Sequence, residues 1–235
     1  MSAVTTSKIG RVLGYDGAIA TLLLTVFQYF LASASFVACL MPALVFQALV
    51  GWQLTHLALW LGAVSLLPLA PALQALVIAA DRLLTQGATA HAGRVFWRAF
   101  ADAVRARRAA ALAVGAGVLV LGYDVALLGA DAEVLLGGAA LAAVAVVVLL
   151  SSIFVVAAGS ELRGVALAVA AGRIALLRPH LALVWLLLAG IAVFATTLPV
   201  VGAVAWFSAP ALAAVGAVIC NRTLGFASAH ERVGA

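Results

Sequence analysis

The chain has 235 residues, of which 67% are hydrophobic and only 9% are charged. A soluble domain of this length would carry about a quarter charged residues, so the composition argues against a water-soluble globule and favours helices in lipid. The net charge of +5 is explained by basic residues beside membrane spans, and it does not indicate nucleic-acid binding.

Apolar stretches of sufficient length predict an all-α fold, a polytopic transmembrane helix bundle. We expect six spans, or five if the short last segment does not cross. The approximate limits, within a single integral membrane domain at 1–235, are 20–41, 55–80, 109–129, 134–158, 181–198 and 210–220. Pro42 marks the end of the first span, and Pro68 with Pro71 predicts a kink or a break in the second. A turn between Pro199 and Pro210 precedes the last span.

Positive charge lies on one side of these spans. Every Lys and Arg falls at the N-terminus, in two loops (81–108 and 159–180) or in the C-terminal tail. Asp124, Asp131 and Glu133 lie on the other side. Because basic loops stay in the cytoplasm, both loops and both termini are predicted to be cytoplasmic.

Each loop has helical spacing directly before a span, the third and the fifth. In 94–108 the apolar residues share one face and arginines crowd the others, which is the pattern of a basic amphipathic helix at the cytoplasmic interface. Two interpretations stay open: an anchor on anionic lipid headgroups, or a surface that docks a cytoplasmic partner. The candidate residues for either role are Arg94, Phe96, Trp97, Arg98, Phe100, Arg105, Arg107 and Arg108.

Polar residues in or near the spans are the other candidates. His56 and Asp124 lie close to the predicted outer surface, where they either face each other or sit at headgroup level. Gln28, Gln47 and Gln74 are amides that bond another helix or line a pocket. With no Ser-His-Asp constellation, phosphate loop or Cys/His cluster, we expect no enzyme activity, cofactor or metal site.

Several short motifs resemble those of the YesL-like family of bacterial integral membrane proteins. They are Tyr15-Asp16-Gly17, Leu40-Met41-Pro42, Pro71-Ala72-Leu73-Gln74-Ala75-Leu76 with Asp81-Arg82, Phe96-Trp97-Arg98-Ala99-Phe100 with Arg105-Ala106-Arg107-Arg108, Tyr123-Asp124 and Leu177-Arg178-Pro179. The longer connection between Pro42 and Pro71 departs from the family pattern. The resemblance implies a plasma-membrane location and an association with carbohydrate ABC importers, and it carries over no catalytic or binding residues.

Two functions are compatible with these patterns. The first is an accessory component that docks on a carbohydrate ABC importer through its cytoplasmic helices. The second is a small stand-alone transporter with a site near the Pro68 break, although the midplane charge that coupling ions need is nearly absent. Residues 161–179 lack the coupling-loop order of ABC permeases, so a permease subunit is not expected.

Overall fold

The computed structural model describes residues 18–51, 53, 55–106, 108–128, 164–199 and 201–223, with thirteen positions between (133, 137, 138, 140, 142, 145, 146, 148–150, 152, 153 and 162). Within these residues the chain is helical and contains no strand. The helices are α1 (Ala18–Leu49), α2 (His56–Ser65), α3 (Leu69–Gln86), α4 (Ala92–Ala106), α5 (Arg108–Leu128), α6 (Gly164–Leu177), α7 (Pro179–Thr197) and α8 (Gly202–Thr223), with a 3₁₀ turn at Gly87–Thr89.

Four helical stretches are long and apolar enough to cross a membrane. They are Ile19–Leu49, His56–Thr89, Pro179–Thr197 and Gly202–Thr223, and α5 contains a shorter apolar stretch, Gly115–Leu127. Large apolar side chains such as Leu22, Phe27 and Phe194 are exposed along them, and lipid would cover such a surface. By length and composition these are the helices of a multi-pass membrane protein. The predicted fourth span, 134–158, lies mostly outside the described residues.

The second predicted span is broken, which confirms the expectation from its two prolines. α2 ends at Ser65, residues 66–68 form a turn, and α3 begins at Leu69. Pro68 is the residue before α3, and its carbonyl accepts a hydrogen bond from Ala72 N–H at 3.0 Å. Pro71 falls in the first turn of α3, where its missing N–H leaves no intrahelical carbonyl unpaired.

The first and last spans are longer than predicted. α1 runs past Pro42 to Leu49, and α8 starts at Gly202 with Pro210 inside it. The turn before α8 is therefore shorter than the predicted one. Gly202 makes this turn possible, because a methyl group there would lie 2.6 Å from the Thr196 carbonyl oxygen.

A neighbouring helix compensates for the proline inside α8. A proline ring crowds the preceding turn and disturbs its hydrogen bonds, so membrane helices keep such residues where another helix supplies a partner. Ser33 of α1 does this, because its Oγ accepts a hydrogen bond from the N–H of Ala211 at 3.1 Å. Ser33 has no exposed surface.

The core surrounds α3, which packs against α1, α4, α5 and α8. Ala72, Ala75 and Ala79 have no exposed surface, and small residues of this kind let helix backbones approach closely in a membrane. Phe36 of α1 and Trp185 of α7 fill the space around them. The buried face of α3 is thus built mainly from methyl groups.

Glycines bring α5 close to α2. A methyl group at Gly115 would lie 3.1 Å from Leu67 Cδ2, and one at Gly122 would lie 2.6 Å from Leu59 Cδ2. Leu67 lies in the turn that follows α2, and Leu59 lies within α2. Residue numbers therefore rise along α5 as they fall from this turn into α2, which shows that the two helices are antiparallel. At Gly117, by contrast, a methyl group would meet no atom within 4 Å.

We expect Ser33→Ala to lower the free energy of unfolding by about 1–2 kcal/mol, because the buried N–H of Ala211 loses its acceptor. Ser208→Ala is the matched control, since the Ser208 hydroxyl bonds only the Val204 carbonyl of its own helix. Equilibrium unfolding in mixed detergent micelles measures both. In a Pro210→Ala background, Ser33→Ala should lower the free energy of unfolding by less, because the Ala211 N–H can then bond a carbonyl within α8. An equal loss in both backgrounds would contradict this role of Ser33.

Candidate functional site

The helix α4 is held in place at its first residue by α1. Gln28 Oε1 accepts a hydrogen bond from the N–H of Ala92 at 2.7 Å, which satisfies one of the donors that a helix start leaves open. Two residues with positive φ angles precede α4: Gly87 at 54° and His91 at 48°. One of the amides singled out in the sequence therefore bonds another helix, as predicted for such residues.

An aromatic side chain fixes the buried side of α4. Phe96 has no exposed surface and lies in the core with residues of α1 and α3. Phe100 is half-buried against that core. The Trp97 ring lies edge-on to the Phe100 ring, with the two ring centroids 5.8 Å apart. Phe96 was predicted to belong to a docking surface. The structure removes it from any exposed surface, because the apolar side of α4 packs against protein.

Arginines cover the opposite side of α4. Arg94, Arg98 and Arg105 are exposed, as is Arg108 at the start of α5, and we call these four the arginine face. Arg94, Arg98 and Arg105 lie four and seven positions apart on α4, so they share one face of that helix. No member of the arginine face forms a salt bridge within the described part of the chain. Trp97, 47% exposed, borders it. Arg107 lies outside the described residues.

A cleft of about 500 Å³ lies between α3 and α4. This cleft was not predicted from the sequence. Its walls are Gln74, Ile78, Arg82 and Gln86 on α3, and Val95, Arg98, Ala99, Asp102, Ala103 and Ala106 on α4. The four residues from α3 recur at every fourth position, so the sequence alone indicates that they share one face of a helix. Nothing in the sequence, however, said that α4 folds back along that face. We call this space the α3–α4 cleft.

The two predicted intramembrane residues do not meet. His56 Nδ1 lies 2.9 Å from the hydroxyl of Tyr123, so the hydrogen bond from α2 to α5 ends on the residue beside Asp124. The Asp124 side chain is exposed. His56 therefore acts as a link between two antiparallel helices, and Asp124 faces away from the core of the described bundle.

Polar contacts also join helix ends that the sequence placed in the cytoplasm. Arg222 Nη2 lies 2.5 Å from Asp81 Oδ1, which connects the C-terminal parts of α8 and α3. One residue earlier, Asn221 Oδ1 accepts a hydrogen bond from the Trp185 indole N–H at 3.1 Å. The C-terminal ends of α3 and α8 and the first turns of α7 thus lie together.

Chemically, the described residues are suited to binding anions. The arginine face and the α3–α4 cleft offer five guanidinium groups, which form charge-assisted hydrogen bonds to carboxylate and phosphate oxygens. No group of three His, Cys, Asp or Glu residues within the described ranges is arranged to hold a metal ion.

Replacing Gln28 with Leu should destabilise the first turn of α4 by about 1 kcal/mol, since the Ala92 N–H loses its acceptor. Hydrogen exchange in detergent would then be about fivefold faster at the first amides of α4. Gln47→Leu is the matched control, because Gln47 lies on the same helix and is exposed. Equal exchange rates in wild type and Gln28→Leu would show that the cap does not hold α4.

Comparison with known proteins gives no relative for this chain. No family model matches it. The curated proteins and the solved structures likewise contain no match. What the protein does is therefore inferred from its own residues, and the arginine face and the α3–α4 cleft are the features that point to binding.

Proposed function

We propose that the protein is an accessory component of a bacterial membrane transport complex, which it docks through the arginine face of α4. The observation that carries the proposal is a set of exposed arginines without salt-bridge partners in the described chain, next to an exposed tryptophan. Arg and Trp are the residue types that most often dominate binding energy at protein interfaces. A partner of complementary charge would present acidic side chains to this face.

The packing of α4 favours a protein partner over a purely lipid-bound role. A helix that lies in the bilayer interface needs a free apolar side to bury among the acyl chains. Phe96 and the small residues beside it are already buried against α1 and α3. Anionic headgroups can still contact the arginines, but they do not account for the position of the helix.

The proposed location is the bacterial plasma membrane, with six spans and both termini in the cytoplasm. The stretch His56–Thr89 contains two helices of 10 and 18 residues, which in line cover about 42 Å against a hydrocarbon core of about 30 Å. Its far end, with Asp81 and Arg82, therefore extends beyond the hydrocarbon. α4 begins at this same end, close to Arg94, and the positive-inside rule favours a cytoplasmic position for such arginines. Residues 134–158 would supply the fourth span.

The resemblance to YesL-like proteins makes a carbohydrate ABC importer the first partner to test. The motif that carries much of this resemblance, Phe96-Trp97-Arg98-Ala99-Phe100, belongs to α4. The proposal thus assigns different parts of that motif to different tasks: Phe96 holds the helix in the bundle, and the polar side faces the partner.

We expect the tagged protein to recover importer subunits when native membranes are solubilised in a mild detergent. The double variant Arg94→Glu/Arg105→Glu should recover at least about tenfold less of them, because it reverses two charges of the contact. Quantitative mass spectrometry of the co-purified proteins measures the difference. Both positions are exposed, so the variant should insert and fold as wild type does.

Arg173→Glu is the matched control, because Arg173 is an exposed arginine of α6 outside the arginine face. It should recover the partner as wild type does. If the double variant retained the same co-purified proteins as wild type, docking through the arginine face would be wrong.

A stand-alone transporter is the second candidate, and the break between α2 and α3 favours it. Discontinuous membrane helices often form substrate sites in transporters, because the turn exposes backbone carbonyls. Purified protein in liposomes should then take up a labelled carbohydrate on its own. We expect no uptake beyond that of empty liposomes, since the described spans offer almost no midplane charge for a coupling ion. Uptake would replace the docking proposal.

A further inference from the structure

We propose that the α3–α4 cleft binds a phosphorylated polyol. This chemistry is shared by the glycerol phosphate headgroup of an anionic lipid and by a soluble sugar phosphate. The site is separate from docking on the arginine face, apart from Arg98, which borders both. Its volume of about 500 Å³ falls within the range of small-molecule sites.

Two arginines from different helices give the cleft its preference for phosphate. Arg82 of α3 and Arg98 of α4 both line it, and neither forms a salt bridge within the described residues. A guanidinium group binds phosphate through two parallel hydrogen bonds, and a phosphate held between two helices would engage both groups. The two cations outnumber the single carboxylate in the wall, that of Asp102.

A buried amide supplies independent support for a ligand. Gln74 is 8% exposed and lines the cleft, and its side chain forms no hydrogen bond with another described residue. Its polar atoms are not among the fully buried ones that lack a partner, so the amide is open to hydrogen bonding from the cleft. A ligand hydroxyl both donates and accepts, so it would satisfy the oxygen and the nitrogen of this amide.

The aspartate in the wall selects for a ligand that carries hydroxyl groups as well as phosphate. Asp102 lies one helical turn from Arg98, and its carboxylate repels a bare phosphate ion. The same carboxylate accepts a hydrogen bond from an alcohol. Gln86, near the other end of the α3 wall, offers a second amide to a polyol. The two arginines thus suit a phosphate group, and the two amides with Asp102 suit the hydroxyl groups beside it.

The test uses the full-length protein purified in an uncharged detergent and two probes. Equilibrium dialysis with labelled sn-glycerol 3-phosphate measures the soluble source. Mass spectrometry of lipid retained from mixed nanodiscs, phosphatidylglycerol against phosphatidylcholine, measures the lipid source. We expect at least one probe to bind, and Arg82→Gln or Arg98→Gln to weaken it by about tenfold or more, the loss of one charge-assisted contact. Arg173→Gln, at an exposed arginine of α6 outside both the cleft and the arginine face, should bind as wild type does.

A second variant tests the role of the carboxylate. Asp102→Asn should tighten binding of inorganic phosphate and reduce the preference for glycerol phosphate over inorganic phosphate. Binding of the soluble probe alone identifies a soluble ligand, and binding of phosphatidylglycerol alone identifies a lipid. The proposal is overturned if neither probe binds, or if Arg173→Gln weakens binding as much as Arg82→Gln does.

Discussion

Close approach of helices to the alanine side of α3 is the constraint on which the rest of the structure depends. In lipid, helices gain little from burying apolar surface, so they associate through tight packing and hydrogen bonds. Ala72, Ala75 and Ala79 leave room for α1, α4 and α8 to approach this helix. A larger side chain at any of these positions would move the neighbours outwards. It would also separate the polar pairs that depend on that distance, Asp81 with Arg222 among them.

The same packing divides α4 into sides with different tasks. Phe96 commits one side to the core, which turns Arg94 and Arg105 away from the protein and brings Asp102 to the edge of α3. The rotation of about 100° per residue is enough to produce this division within fifteen residues. A fixed helix presents its charges in one geometry, and both binding and selectivity need that. Gln28 contributes from α1 by fixing the point at which the helix starts.

Sequence patterns predicted much of the fold, because apolar length and paired prolines act locally. They located the described spans and the break near Pro68. They misjudged Pro210, since a proline ends or merely interrupts a membrane helix according to its neighbours. Here the neighbour is Ser33, 178 positions from the Ala211 whose N–H it binds. Periodicity likewise found the apolar side of α4 but not whether lipid or protein covers it. The α3–α4 cleft escaped prediction because it depends on how two helices align, which neither helix encodes alone.

The hydrogen bond between Ser33 and Ala211 also has a consequence for biosynthesis. A membrane protein enters the bilayer from its N-terminus, so α1 is in place well before α8 has been translated. Until then the hydroxyl of Ser33 has no backbone donor from α8, and the side of α1 that α8 covers remains open to lipid or to the insertion machinery. The contact between α1 and α8 can therefore form only after α8 has been translated.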